Sequence, residues 1–183
     1  MSKNKPDRRI EKTKSSLALG LFKLMQQKAW NSISIQELCD EANVARASFY
    51  GHFDSKLALL DFLIAEAFEK QIAGNSTSKE SKAYIVFLGW LVDHVTSSRA
   101  LFSKIANQPE ALPVLDRFKR ALQRRFAEAL HNDGMSVDDA AVTFVMGGIF
   151  DCLLSWARRW RVAELPNLRI RILEMAYLVL ETP

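Results

Sequence analysis

The sequence predicts an all-α protein of about nine helices, in which a three-helix N-terminal domain precedes a larger helical bundle. Apolar residues recur three and four positions apart along most of the chain, the spacing that places them on one helix face. No segment alternates strictly between apolar and polar residues, as a half-buried strand would. Glycine and proline account for only 7 and 5 of the 183 residues, which disfavours a loop-rich sandwich or barrel.

Local signals place the helices of the N-terminal part. Ser34 and Glu37 form an S-x-x-E capping box, which predicts that a short helix begins after Ser34. Asn43 follows this helix, and asparagine tolerates the left-handed conformation that a tight turn between helices needs. The helices predicted in this part cover about 8–27, 35–41, 46–53 and 56–71.

The polar segment 74–80 (GNSTSKE) is the one clear linker, and it separates these helices from the bundle. We expect Ser136 to cap one bundle helix, with Asp139 at the third helical position. Pro166 is expected near the start of the last helix, where its missing amide costs nothing. The helices predicted in the bundle cover about 82–97, 99–107, 111–132, 136–160 and 165–181.

The excess positive charge lies in the first third of the chain. Residues 1–56 contain ten Lys and Arg and six Asp and Glu, a net charge of +4, whereas residues 57–183 contain fifteen of each. Basic charge at one end favours a polyanionic partner such as nucleic acid, and the alternative is a solvated, charged tail. We therefore assign 1–56 to one domain, with the fourth helix as a connector to about residue 73, and 57–183 to a second domain.

The remaining composition favours a chain that works in a reducing cytoplasm. Cys39 and Cys152 stand alone within apolar helical patterns, which predicts two buried thiols, no metal site and no cofactor. The segment Met1–Lys14 is polar and lacks the apolar core of a secretory signal. Asp151 interrupts the apolar stretch 140–157, and its burial in a bilayer would cost about 2.5–3.5 kcal/mol. We therefore expect a buried helix here and no membrane partner.

The two short helices predicted over about 33–53 form a helix–turn–helix, which can present its second helix to the major groove of DNA. That helix reads RASFYGHF from Arg46 to Phe53. Arg46 can donate two hydrogen bonds to guanine, and the hydroxyls of Ser48 and Tyr50 can donate to phosphate oxygens. Any two helices joined by a short turn share this outline, so the pattern alone leaves DNA binding open.

Residues 34–60 (SIQELCDEANVARASFYGHFDSKLALL) resemble the DNA-binding motif of TetR/AcrR-family transcriptional regulators. The most specific part, S-F-Y-G-H-F-x-x-K-x-x-L, begins at Ser48, and the likeness covers about the first 65 residues. The resemblance implies a TetR-like fold in which Tyr50, His52 and Lys56 contact backbone phosphates. The residues that it places in the DNA-binding site, with the motif running from about Ile33 to His52, are Ser34, Ala45, Arg46, Ala47, Ser48, Tyr50, His52 and Lys56.

Two positions depart from the family pattern. Asn43 stands where the family usually has glycine, and the turn can accommodate it. Ala45 stands where the family usually has a serine or threonine that caps the recognition helix, and loss of that cap costs about 1 kcal/mol. For His52, the alternative to a phosphate contact is an ordinary surface histidine.

The resemblance is looser over residues 82–181, where it implies a ligand-binding and dimerisation region. The last two helices are expected to pair with their copies in a homodimer, and the adjacent glycines at 147 and 148 would allow close approach. The alternative is an ordinary core within one chain. The residues expected at the dimer interface are Phe144, Gly147, Gly148, Leu154, Leu173, Tyr177 and Leu180.

Family members often bind a small apolar or amphipathic effector inside the bundle, and the resemblance implies the same here. The aromatic residues that are candidates for lining such a pocket are Phe87, Trp90, Phe102, Phe118, Phe126, Phe150 and Trp156. At helical spacing aromatic side chains are more often core, so a packed interior is the alternative. The sequence does not name the effector.

The favoured function is a sequence-specific DNA-binding transcriptional regulator in the bacterial cytoplasm, associated with the nucleoid. We expect a repressor that binds a palindromic operator as a homodimer and is released by an effector. The alternative is a TetR-like protein-interaction module that regulates a partner protein without binding an operator. An enzyme is disfavoured, because the sequence shows no nucleophile–base arrangement, metal-ligand spacing or phosphate-binding glycine loop.

Overall fold

The computed structural model describes residues 8–74, 81–159 and 165–181, and all regular structure in these ranges is helical. The predicted all-α class is therefore confirmed. Of the predicted linker, the residues after Gly74 lie outside the described ranges. The α-helices of the described ranges are α1 (Arg8–Gln27), α2 (Ile35–Ala42), α3 (Arg46–Tyr50), α4 (Lys56–Gly74), α5 (Ala83–Ser97), α6 (Arg99–Ala106), α7 (Leu112–Asn132), α8 (Asp139–Arg159) and α9 (Leu165–Glu181).

Three helix ends differ by three residues from the sequence-based prediction, and one of them is that of α4, which continues to Gly74 instead of ending at about Gln71. α3 ends at Tyr50 instead of continuing to Phe53, because the His52 amide donates to the Phe49 carbonyl at 2.9 Å and tightens the chain into a turn. α8 begins at Asp139, and the carboxylate that caps it belongs to Asp138, which accepts from the Ala141 amide at 2.6 Å. The expected cap at Ser136 is wrong, since the helix starts three residues after it.

The chain forms two compact units, Met1–Phe68 and Glu69–Pro183. In the first unit α1 packs closely on α2. Gly20 makes this approach possible, because a Cβ at this position would lie 3.3 Å from the Cβ of Ala42. The side chains that are fully buried in this unit include Leu17, Ala18, Leu21, Leu38, Phe49, Leu59 and Phe68.

In the second unit α8 is the central helix and packs against α5, α6, α7 and α9. Among the described helices, α8 alone is long and apolar enough to cross a bilayer, but half of its most apolar window is buried in the bundle. This is the pattern of a core helix, as the sequence predicted for the stretch around Asp151.

Two polar contacts fix α5 in this bundle. The Asp133 carboxylate, just after α7, accepts hydrogen bonds from the amides of Ala83 at 2.7 Å and Tyr84 at 2.9 Å, and so caps the start of α5. Arg169 of α9 donates to the carboxylate of Asp93 at 2.9 Å. Its guanidinium lies against Gly89, where a Cβ would stand 2.8 Å from Nη2.

Candidate nucleic-acid interface

The start of α2 is held by the capping box that the sequence predicted. The Ser34 hydroxyl accepts from the Glu37 amide at 3.1 Å, and the Glu37 carboxylate accepts from the Ser34 amide at 3.0 Å. The same carboxylate also accepts from the ammonium of Lys28. The Lys28 hydrogen bond, followed by those from Ser34, lowers the pKa of Glu37 to about 2. Lys28 was not foreseen, because nothing in the sequence spacing pairs it with α2.

The turn between α2 and α3 has the predicted left-handed residue. Asn43 has φ 52° and ψ 49°, and the next amide, that of Val44, donates to the Cys39 carbonyl at 2.9 Å. This pattern closes the C-terminus of α2. Ala45 precedes α3 in an extended conformation and gives no side-chain cap, as expected from its missing hydroxyl.

One buried ring anchors α3. Phe49 is fully buried, and it contacts the rings of Tyr50, at a centroid distance of 5.3 Å, and of Phe53, at 6.0 Å. The remaining side chains of the helix, from Arg46 to Ser48 and at Tyr50, are exposed. α3 therefore presents its other side chains to solvent, and the buried Phe49 ring anchors its inner side.

Arg46 and Tyr50 lie one helical turn apart on this surface. The Arg46 guanidinium carbon is 5.7 Å from the centre of the Tyr50 ring, and its Nη2 lies 3.5 Å from the Tyr50 hydroxyl. The second distance is too long for a strong hydrogen bond, so the ring contact is the main interaction. His52 is half-exposed just after the helix, and Ser34 is exposed at the start of α2.

Lys56 differs from the other predicted DNA-binding residues. Its ammonium donates to the carbonyl oxygens of Trp30 at 2.6 Å and Ile33 at 2.7 Å, and it lies 4.3 Å from the centre of the Trp30 ring. Partial burial lowers the pKa of Lys56. The carbonyl partners could not be found from sequence, since they depend on the packing of α4 against the turn after α1.

Most aromatic residues predicted to line a pocket contact one another inside the second unit. Ring centroids are 6.0 Å apart for Phe87 and Phe126, 5.3 Å for Phe102 and Phe118, and 5.9 Å for Phe118 and Phe150. Trp90 stacks on His94 at 5.0 Å. These contacts are those of a packed interior, the alternative that the sequence left open.

Trp156 lies elsewhere in the bundle. It borders a cavity of about 440 Å³ between α8 and α9, together with Cys152, Arg159 and Arg171. Cys152 is exposed, so the expectation of two buried thiols is correct for Cys39 only. Within the described part of the chain, no group of three His, Cys, Asp or Glu side chains is placed to hold a metal ion.

The residues predicted at a dimer interface fall into two groups. Phe144 is 72% exposed and Tyr177 is 55% exposed, whereas Leu154 is buried within its own protomer. Gly148 is exposed, and a Cβ there would meet nothing within 4 Å. Gly147, Leu173 and Leu180 are half-exposed. Further exposed apolar side chains on α9, which the sequence analysis did not name, are Ile170, Met175, Leu178 and Val179.

Comparison with known proteins identifies the N-terminal part. Residues 20–62 match the family model described as bacterial regulatory proteins of the tetR family, and this range includes the whole helix–turn–helix. Over this range the chain is similar to TetR-family regulators. The matched range covers about a quarter of the chain, from the last turns of α1 to the first turns of α4. A search of curated proteins finds no match.

Solved structures of TetR-family regulators share the fold of nearly the whole chain. A regulator from Rhodococcus sp. RHA1 matches 94% of this chain and 97% of its own, with a TM-score of 0.66 and 17% identity. A regulator from Streptococcus agalactiae 2603V matches 93% of this chain and 96% of its own, with a TM-score of 0.64 and 22% identity. The repressor FadR of Thermus thermophilus, solved in complex with lauroyl-CoA, matches 93% of this chain and 97% of its own, with a TM-score of 0.57 and 17% identity. The structural likeness extends the TetR-like fold to α5–α9.

Proposed function

We propose that this protein is a TetR-type transcriptional regulator, a repressor that binds a palindromic operator as a homodimer. The observation that carries the proposal is α3, whose side chains from Arg46 to Ser48 and at Tyr50 face solvent while Phe49 is fully buried beneath them. A helix whose inner side is anchored in this way can enter the major groove without rearrangement of the residues that hold it. In this proposal 1–56 is the DNA-binding domain, α4 is the connector, and 57–183 is the ligand-binding and dimerisation domain.

The chemistry of α3 assigns separate roles to its side chains. Arg46 has a flat guanidinium that can donate two hydrogen bonds to guanine, and its contact with the Tyr50 ring limits its movement. The hydroxyls of Ser48 and Tyr50 and the imidazole of His52 are suited to phosphate oxygens. Ala45 and Ala47 are small, so the backbone can come close to the DNA surface. Ser34, at the start of α2, would bring the first turn of that helix close to the DNA backbone.

An exposed apolar face supports the homodimer. Phe144 on α8 and Tyr177 on α9 are large side chains that the protomer leaves in water, and a second copy would cover them. Gly148 lies on the same exposed side of α8 and leaves room for a facing helix. Two copies would present two recognition helices, and a two-fold axis between them requires a palindromic site.

The aromatic interior of the second unit is the proposed binding site of a small effector. The rings from Phe87 to Phe150 contact one another in this structure, so an apolar or amphipathic molecule would bind there by separating them. The FadR relative holds lauroyl-CoA, an amphipathic molecule. Binding would release DNA by favouring a protomer arrangement that fits the operator less well. Such a regulator works in the cytoplasm, on the nucleoid.

Removal of one hydroxyl tests the DNA-binding role of α3. Tyr50→Phe keeps the ring contacts with Arg46 and Phe49 but removes the phosphate donor. We expect affinity to fall by about 1.5–3 kcal/mol for every DNA sequence, the value of a hydrogen bond to a charged group. The slope of log affinity against log salt should not change, because the hydroxyl carries no charge.

Ser97→Ala is the control, since it removes an exposed hydroxyl from α5, outside both α3 and the proposed dimer interface. Affinities can be measured by fluorescence anisotropy on a labelled random-sequence duplex across a salt series. If Tyr50→Phe binds as tightly as the unchanged protein, the proposed orientation of α3 is wrong. If the folded, dimeric protein retains no duplex DNA at all, the protein-interaction alternative takes the place of operator binding.

A further inference from the structure

The ammonium of Lys56 joins the two ends of the helix–turn–helix. Lys56 is the first residue of α4 and follows α3 by a short turn, whereas its hydrogen-bond acceptors, the carbonyls of Trp30 and Ile33, lie just before the Ser34 cap of α2. The two bonds, at 2.6 and 2.7 Å, therefore close the chain between residues 33 and 56 into a ring that contains α2 and α3.

The surroundings of this ammonium suit a compact cation. Two of its three N–H groups donate to carbonyl oxygens, and the negative face of the Trp30 ring lies 4.3 Å away. An arginine would be a poor replacement, because its planar guanidinium is larger and holds its donors in a fixed fork. The position therefore selects lysine for its shape as well as its charge.

The placement is not what a phosphate contact alone would need. A cation in the first turn of a helix is disfavoured by the positive end of the helix dipole. Lys56 is also half-buried, whereas a side chain that only meets phosphate gains nothing from burial. The carbonyls of the turn at 30–33 supply the negative partial charge that compensates for both costs.

We infer that Lys56 is a positioning residue for DNA recognition, which fixes the start of α2 relative to α3 by holding the carbonyls of Trp30 and Ile33. This inference rests on the proposed DNA-binding function. Without the ammonium, the turn at 30–33 would be ordered in only a fraction of the molecules, and the apparent affinity for DNA would be reduced to that fraction of its full value. If about one molecule in ten keeps the turn ordered, the apparent Kd rises about tenfold.

Two substitutions separate this role from a phosphate contact. Lys56→Met removes the charge and keeps the apolar stem, and Lys56→Arg keeps the charge but changes its shape. Lys23→Met is the matched control, since Lys23 is an exposed lysine of the same unit that pairs with Glu41 at 3.2 Å. Binding of a random-sequence duplex is measured across a salt series, at a temperature where circular dichroism shows every variant folded.

We expect both Lys56 variants to bind about tenfold more weakly than the unchanged protein, with an unchanged salt slope. Hydrogen exchange of the Ser32 and Ile33 amides, which donate to the carbonyls of Ala29 and Trp30, should become about tenfold faster in both variants. Lys23→Met should change neither the affinity for DNA nor the exchange rate of these two amides tenfold. If Lys56→Met fails to fold, DNA affinity and amide hydrogen exchange are measured on Lys56→Arg alone.

Three results would overturn the inference. A salt slope that flattens by about one unit in Lys56→Met, with full binding by Lys56→Arg, would make Lys56 a phosphate contact. Full affinity in both folded variants would leave Lys56 without a part in DNA binding. Unchanged exchange of the Ser32 and Ile33 amides would show that the ammonium does not hold the turn. Failure of the unchanged protein to bind any duplex would instead remove the proposed function, and the exchange result would still decide whether the turn is held.

Discussion

Gly148 offers a direct test of the proposed dimer, because a side chain at this position would affect two copies but not one. In the protomer, Gly148 is exposed and a Cβ there would meet nothing within 4 Å, so the side chain of Gly148→Arg can extend into solvent. The change should even stabilise α8, since glycine in a helix interior costs about 0.8–1 kcal/mol relative to alanine and arginine ranks just below alanine. Between two copies, however, it places a guanidinium on each side of an apolar interface.

The expected weakening of the dimer follows from that charge. Like charges set against each other at an interface cost several kcal/mol, which corresponds to a dissociation constant raised a hundredfold or more. Sedimentation velocity over a range of protein concentrations measures this constant, and circular dichroism checks that the protomer remains folded. Operator affinity should fall with dimerisation, because each half-site would then be bound separately.

Gly148→Ala is the control, since it brings the same gain in helix stability with only one methyl group. We expect Gly148→Ala to remain dimeric or to lose little affinity between copies. If Gly148→Arg is folded and dimerises as tightly as the unchanged protein, the face formed by α8 and α9 is not the dimer interface. The exposed Phe144 and Tyr177 would then require a different partner.

The remaining predictions concern single side chains. The pKa of Glu37 is about 2 in the folded protein, below its ordinary value of 4.5, so the carboxylate adds stability that is complete above pH 4.5 and is lost as the pH falls towards 2. Glu37→Gln should therefore flatten the rise in unfolding free energy over this range in urea titrations, and an unchanged rise would contradict the Lys28 contact. Asp133→Ala should cost about 0.5–2 kcal/mol in the free energy of unfolding by loss of the α5 cap, and Asp133→Asn should cost less because one acceptor remains; equal losses would contradict the cap. Arg46→Ala should relax base preference at one position per half-site by about 1–3 kcal/mol in a selection from random DNA, and an unaltered preference would limit Arg46 to the backbone.

Features encoded by neighbouring residues could be predicted from the sequence. The capping box at Ser34 and Glu37 and the left-handed Asn43 each depend on fewer than five consecutive residues, and the structure confirms both. The start of α4 at Lys56 and the start of α9 at Leu165 were also predicted. At Ser34 and at Asn43, local hydrogen bonds decide where α2 begins and ends.

Contacts between distant segments could not be predicted. Lys56 was expected to reach towards DNA, but its carbonyl partners are 23 and 26 residues away in sequence. The cap of α5 comes from Asp133, 50 residues after Ala83. Such pairs are decided by how helices pack, and helical periodicity does not contain that information. The cap at Ser136 failed for a local reason instead, since the Asp138 carboxylate offers an acceptor closer to the start of the helix.

The exposed face of α8 shows a further limit of sequence reasoning. This helix is apolar on almost every side, so its periodicity could not tell the face that packs within the protomer from the face left in water. Phe144 and Leu154 were assigned to the same interface, yet Phe144 is exposed and Leu154 is buried. The tertiary arrangement of α5, α6, α7 and α9 around α8 supplies the difference.

Selection of genomic DNA fragments by the purified protein tests the central claim most directly. The experiment is done at about 150 mM salt, where non-specific binding through phosphates alone is weak. We predict enrichment of a palindromic site whose half-sites lie about one helical turn or a multiple of it apart, since two recognition helices related by a two-fold axis read it. Failure of the folded, dimeric protein to enrich any site, with or without cell extract as a source of effector, would contradict operator recognition by α3.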